Sequence, residues 1–263
     1  MRIKIYHNFI LTAFVSLLLV NTISAQTYNY NLNRFGDEAV EMFKQPAKWN
    51  TKDWLILTGI AIGTFALMQV DEDIRTMAQS DRTYTDFLPI VIGDKYGEGW
   101  GALLLGASFL TAGILQDNKA NEKFGFEVLQ SFIYSETITG ILKFGMGRAR
   151  PFMNEGASSY HPFQVSTTDY FSLPSGHTTC AVSLSTVLAA QSDNTLIKIA
   201  SFTPAIFTAV ARIYYDKHWA SDVFLGAAIG YFVGKYVTEL HKQKNQDILV
   251  PPAQNNISIL IPF

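Results

Sequence analysis

Apolar residues along this 263-residue chain fall into long blocks separated by short polar breaks. From Trp54 onward six blocks stand out, at 54–70, 100–115, 124–144, 175–190, 196–215 and 223–237. Their length and their Gly, Ala and Ser content favour helices over strands. Polar breaks at 71–73, 117–123, 145–173 and 192–194 set the turns. Most uninterrupted apolar runs stop a few residues short of the roughly 20 that cross a bilayer. The block 124–144 carries Glu127, Gln130 and Glu136 and is the least membrane-like. The pattern predicts an all-α protein, a six-helix bundle.

The ends read differently. Arg2 and Lys4 precede an apolar run over 9–20, and Thr22-Ile23-Ser24-Ala25 offers a small-residue cleavage site before Gln26. Residues 1–25 therefore read as an export signal, with an uncleaved anchor helix as the alternative; both lead into the cell envelope. Residues 26–53 are polar and aromatic, with Tyr28, Tyr30, Phe35 and Trp49, and read as a strap on a body or at a membrane interface. The helical domain is expected over 54–241, and the tail 242–263 carries no chemistry.

Composition narrows the class. A hydrophobic share of 48% with mean hydropathy +0.13 is high for a soluble protein and modest for a bundle of long membrane spans. The net charge of −2 gives no basic face for nucleic acid. Cys180 is the single cysteine, so an internal disulfide and a cysteine-built zinc site are excluded.

The breaks carry the candidate chemistry. Pro174-Ser175-Gly176-His177 reads as a helix start: serine caps, glycine lets backbone approach a ligand, and an apolar run follows. Free N–H groups at such a start attract an anion, usually phosphate. The preceding block ends in Lys143, two glycines, Arg148 and Arg150-Pro151, which terminate a helix and turn the chain. A helix from Ser175 of about 16 residues spans ~24 Å, and the next returns over a similar distance. Arg212 then comes back to the end where His177 began. If the last helix starts near His218, Asp222 lies one turn on and on the same face. Cations, two histidines, a carboxylate and a helix N-terminus meet at one end. Such a set suits phosphoryl transfer. Arginine and lysine bind non-bridging oxygens, one histidine attacks while a carboxylate fixes its other nitrogen, and the second protonates the leaving oxygen. No carboxylate cluster for Mg²⁺ is evident, so neither metal nor cofactor is expected.

These residues resemble the type 2 phosphatidic acid phosphatase superfamily, which also holds bacterial class A acid phosphatases and vanadium haloperoxidases. Its signature is K-x6-R-P, P-S-G-H and S-R-x5-H-x3-D. This chain has Lys143…Arg150-Pro151, Pro174–His177 and Arg212…His218…Asp222, with Ala211 in place of the usual serine. The resemblance covers roughly residues 124–241. It implies a bundle of the acid phosphatase type with its active site at one end. It also implies His218 as nucleophile forming a phosphohistidine, Asp222 as its orienting partner, and His177 as general acid and then base. Lys143, Arg150, Ser175, Gly176 and Arg212 would bind phosphate, and vanadate would inhibit as a phosphate mimic.

Other residues take the plainer reading. Arg148 is expected at the rim, His161 on a loop surface, Glu136 as an ordinary polar helix position and Cys180 in core packing. The leading function is a metal-independent phosphatase for a lipid or isoprenoid phosphate or diphosphate. A soluble periplasmic acid phosphatase, a vanadate-dependent haloperoxidase and a degenerate phospholipid-binding protein are the alternatives. Phosphatidate, phosphatidylglycerol phosphate, undecaprenyl diphosphate and lipid A phosphate all stay open as substrates. A periplasm-facing site with membrane association is expected. It conflicts with simple parity, because three crossings from an exported residue 26 leave Lys143 inside. A soluble bundle, or one early block that does not cross, would remove the conflict.

Overall fold

The computed structural model describes residues 29–249, apart from 82 and 84–86, so the expected export signal and the end of the tail lie outside the described residues. Helix α1 (Leu32–Phe43) starts on Asn31, whose side chain accepts the Arg34 N–H. Helix α2 (Thr51–Met68) opens with a reciprocal cap between Asn50 and Asp53. Two short helices follow, α3 (Asp71–Gln79) and α4 (Leu88–Tyr96). The rest are α5 (Gly99–Leu115), α6 (Lys119–Met146), α7 (Gly176–Ala190), α8 (Thr195–Ser201), α9 (Thr203–Tyr214) and α10 (Ala220–Leu249).

Each of the six apolar blocks is a rod of the bundle: α2, α5, α6, α7, the α8–α9 pair and α10. The pattern missed the shorter helices and the reach of the last one. Residues 242–249 continue α10 instead of leaving it, because Lys and Gln are good helix formers and Lys244 ion-pairs with Glu38 of α1. The aromatic strap is in part a docked helix. Phe35 and Met42 of α1 pack with Tyr134 of α6 and with Val233 and Val237 of α10.

The rods alternate in direction. Met68, at the end of α2, meets Tyr160 of the α6–α7 loop, whereas α1 and the start of α6 lie at the other end. Helix α7 packs closely on α10. Gly226, Gly230 and Gly234 form a stripe against Ser175, Thr179 and Ser183, and a Cβ at Gly226 would stand 2.5 Å from the Ser175 carbonyl oxygen.

Among the described residues, three helices are long and apolar enough to cross a membrane: Thr51–Met68, Thr195–Tyr214 and Ala220–Lys244. The α4–α5 pair passes together but is bent by 61°. Only 6% of α2 is buried, which leaves Leu55, Ile62 and Phe65 as an apolar skin.

Candidate active site

The loop from α6 to α7 is the framework of the site. Gly147 ends α6 in the left-handed region (φ 60°), and a Cβ there would collide with the His161 carbonyl. His161 itself faces outward, with Nε2 2.9 Å from Glu155 and its ring against Tyr170. It stays a loop residue, as its sequence context implied.

The structure brings the candidate residues together at one end. Lys143, in the last turn of α6, donates to the Phe171 carbonyl at 2.7 Å. Arg150 Nε donates to the Thr168 carbonyl at 3.1 Å. Ser175 caps α7: its Oγ accepts from the Thr178 backbone, and its own N–H goes to the Asp222 carbonyl at 2.9 Å. Next to that cap, a Cβ on Gly176 would meet Glu136 Oε2 at 3.2 Å and Lys143 Cε at 3.6 Å. Glu136, expected as an ordinary helix position, thus stands beside the start of α7. His177 is half-buried, with Gly97 of the α4–α5 bend against it. Arg212 ion-pairs with Asp94 of α4 while its buried Nε finds no acceptor among the described residues.

His218 is 3% exposed and lies in the turn before α10, not on the helix. Its Nδ1 is 2.8 Å from the Ser172 carbonyl oxygen. Asp222 Oδ2 is farther, at 3.6 Å, beyond a hydrogen bond. The two still stand as a pair, although α10 starts at Ala220 and His218 precedes the helix. Asp222 accepts the Trp219 N–H at 2.9 Å, the Ser172 hydroxyl and Arg148 Nη1 at 2.7 Å. A carbonyl only accepts, so the Ser172 bond puts the proton on Nδ1 and leaves the Nε2 lone pair outward. Burial keeps the ring neutral, pushing His218 down to about 3; nearby Lys143 and Arg150 act the same way, against Asp222.

Arg148 overturns its expected place at the rim. It is fully buried behind Asp222, because two carboxylates and a backbone carbonyl there outbid water. An apolar groove of about 390 Å³ between α1, α2 and α10, lined by Trp49, Ile60, Phe232 and Tyr236, contains none of the candidate residues.

An all-α bundle with a cationic, histidine-bearing anion pocket at one end is the class these features define. Residues 124–246 match the family model of the PAP2 superfamily. Over 93 residues the chain is 37% identical to the lipid A 1-phosphatase of Porphyromonas gingivalis, covering 35% of this chain and 21% of that protein. It is 27% identical over 115 residues to an undecaprenyl-diphosphatase of Sulfolobus acidocaldarius, covering 44% of this chain and 54% of that one. The match thus spans about a fifth and about half of these relatives. The fold is similar to the crystal structure of a transmembrane PAP2-type phosphatidylglycerolphosphate phosphatase from Bacillus subtilis. That similarity has a TM-score of 0.53 at 17% identity and covers 71% of this chain and 96% of that one.

Proposed function

We propose that the chain is a membrane-embedded phosphatase for a lipid or isoprenoid phosphate, working through a phosphohistidine on His218. The observation that carries this reading is the Ser172 carbonyl on Nδ1, which leaves a neutral Nε2 on a ring that has Lys143 and Arg150 nearby. Nε2 attacks phosphorus, and the P–O bond to the lipid breaks. The electron pair goes to the leaving oxygen, which takes a proton from His177. His177, now neutral, accepts a proton from water as that water attacks the phosphoenzyme. The P–N bond breaks and inorganic phosphate departs. Lys143, Arg150 and the unclaimed Nε of Arg212 bind the non-bridging oxygens, with N–H groups at the start of α7. Ser175 still has its hydroxyl hydrogen to offer, since its oxygen and N–H serve the frame. The step needs neither metal nor cofactor.

The three relatives act, by their names, on lipid A, undecaprenyl diphosphate and phosphatidylglycerol phosphate, and all three are lipid phosphates. The exposed apolar face of α2 supports a bilayer setting over a soluble bundle. Phosphate release should be seen on at least one of phosphatidate, phosphatidylglycerol phosphate, undecaprenyl diphosphate or lipid A, unaffected by EDTA and inhibited by vanadate. Halide oxidation with added vanadate, or activity that collapses with chelator, would overturn the reading.

Orientation follows from charge. The end opposite the site carries Lys48, Lys52, Lys119, Lys123, Lys198 and Lys244, the pattern of a cytoplasmic face. The site then faces outward. Since α2, α5 and α6 all run the length of the bundle, residue 29 begins on the lysine-rich side. Membrane-impermeant thiol labelling of Cys180→Ser protein bearing Ser159→Cys or Ser192→Cys tests this; labelling of Ser192→Cys alone would reverse the orientation.

A further inference from the structure

We propose that Asp71 and Arg148 form a positioning pair that holds His218 ready to attack, so that α3, which lies before the family match, belongs to the catalytic frame. The inference rests on His218 being the nucleophile. Every N–H of the Arg148 guanidinium has an acceptor. Nε and Nη2 donate to the Ala157 carbonyl at 2.9 and 2.7 Å. Nη2 also reaches Asp71 Oδ2 at 2.8 Å, and Nη1 reaches Asp222 Oδ1 and Ser221 Oγ, both at 2.7 Å. Five donors in one plane are what arginine has and lysine lacks.

Asp71 completes the pair from α3. Its Oδ1 accepts the Ser221 N–H at 3.0 Å, which caps α10 from another helix, and its Oδ2 takes Arg148 and the Ser221 hydroxyl. Asp71, Arg148 and Asp222 are all fully or almost fully buried, so none is there for solubility. The chain of contacts then runs to the chemistry. Arg148 fixes one oxygen of Asp222, and the other holds the Trp219 N–H and the Ser172 hydroxyl. The Ser172 carbonyl orients His218. Neither Asp71 nor Arg148 touches the pocket, so both act through Asp222 and Ser172.

The rest of α3 braces the same two loops. Glu72 accepts the Ala157 N–H at 2.7 Å, Arg75 binds Asp216 and Asn154 at 2.8 Å, and Gln79 donates to the Ile213 carbonyl at 3.1 Å. Residues 72, 75 and 79 recur at helical spacing, which turns one face of α3 to the site.

The test uses full-length protein in detergent, with p-nitrophenyl phosphate and phosphatidate as substrates. Asp71→Asn and Arg148→Lys should each lower kcat on the order of 10- to 100-fold, the usual cost of losing an outer support, with KM within about two-fold. In an Arg148→Met background, Asp71→Asn should lower kcat by less than about two-fold further, because the two act as one unit. Equal losses in kcat and 1/KM, or full additivity in the double variant, would overturn the pairing. If Arg148→Met does not fold, Asp71→Asn and Arg148→Lys decide by their kcat-to-KM split alone. Wild-type protein with no phosphate release on any substrate would instead sink the proposed function.

Discussion

The bundle buries a histidine at each end, and the proposed mechanism uses only one of them. At the far end His241 is fully buried with Nδ1 3.2 Å from Glu127 and Nε2 3.1 Å from Glu38. A glutamate stands on each ring nitrogen, so both nitrogens are engaged in holding the fold together. Lys244 and Gln130 complete Glu38, and Gln191 reaches Glu127. That network ties α1 and α6 to α10. At the site end the surroundings of His218 are reversed: cations stand near, a carbonyl takes one nitrogen, and the other lone pair is left outward. Burial is common to both. What separates a structural from a reactive histidine is the chemistry of its acceptors.

Removing the reactive ring should have the largest effect. His218→Asn should lower kcat by ~10⁴-fold or more on every substrate, since in the proposed mechanism this ring alone forms the bond to phosphorus. Phosphate release followed on both an alkyl and an aryl phosphate checks it; loss on one alone would contradict the role. His177 should matter by leaving group. His177→Ala is expected to cost on the order of 10²–10⁴-fold on an alkyl or lipid phosphate and far less on p-nitrophenyl phosphate, measured in the nitrophenol burst. Equal losses would remove it as the acid.

The far histidine should invert that result. His241→Gln leaves two buried carboxylates short of donors, at a cost of about 3–5 kcal/mol, so the melting temperature should fall roughly 10 °C. Its kcat below the transition should stay within about two-fold of wild type. A large kcat loss in a protein that melts normally would erase the distinction between the two ends. The smallest effect is with pH. An ordinary histidine nucleophile near 6.5 would lose about 16-fold in kcat/KM between pH 6.5 and 5. With His218 held down to about 3, the loss after correcting for the substrate's own ionisation should be under about two-fold. Stability carries the matching sign. The unfolded ring protonates near 6.5 and the folded one does not, so the contribution is whole above 6.5 and is lost as pH falls toward 3.

Much of this was legible in the chain. The six rods follow from the apolar blocks, and the residues of the pocket follow from the spacing of Lys143, Arg150, His177, Arg212 and His218. What was hidden depends on contacts distant in sequence. Asp71 follows an apolar run and looks like a solvated break, and only Ser221, 150 positions on, makes it a cap. Arg148, two residues before Arg150, reads as one more surface cation until Asp71 and Asp222 close around it. Asp222 does pair with His218, but the helix begins two residues after His218, so the turn and not a shared helix face sets their 3.6 Å separation. The Ser172 carbonyl left no signal, since backbone acceptors are present at every position.

The central claim is that His218 carries the phosphoryl group, and trapping that group tests it most directly. Protein incubated with ³²P-labelled substrate, quenched and mapped by peptide should show label on His218 that is acid-labile and base-stable. The label should accumulate in His177→Ala and be absent from His218→Asn. Label on His177, retained when His218 is replaced, would show that nucleophile and acid are the other way round.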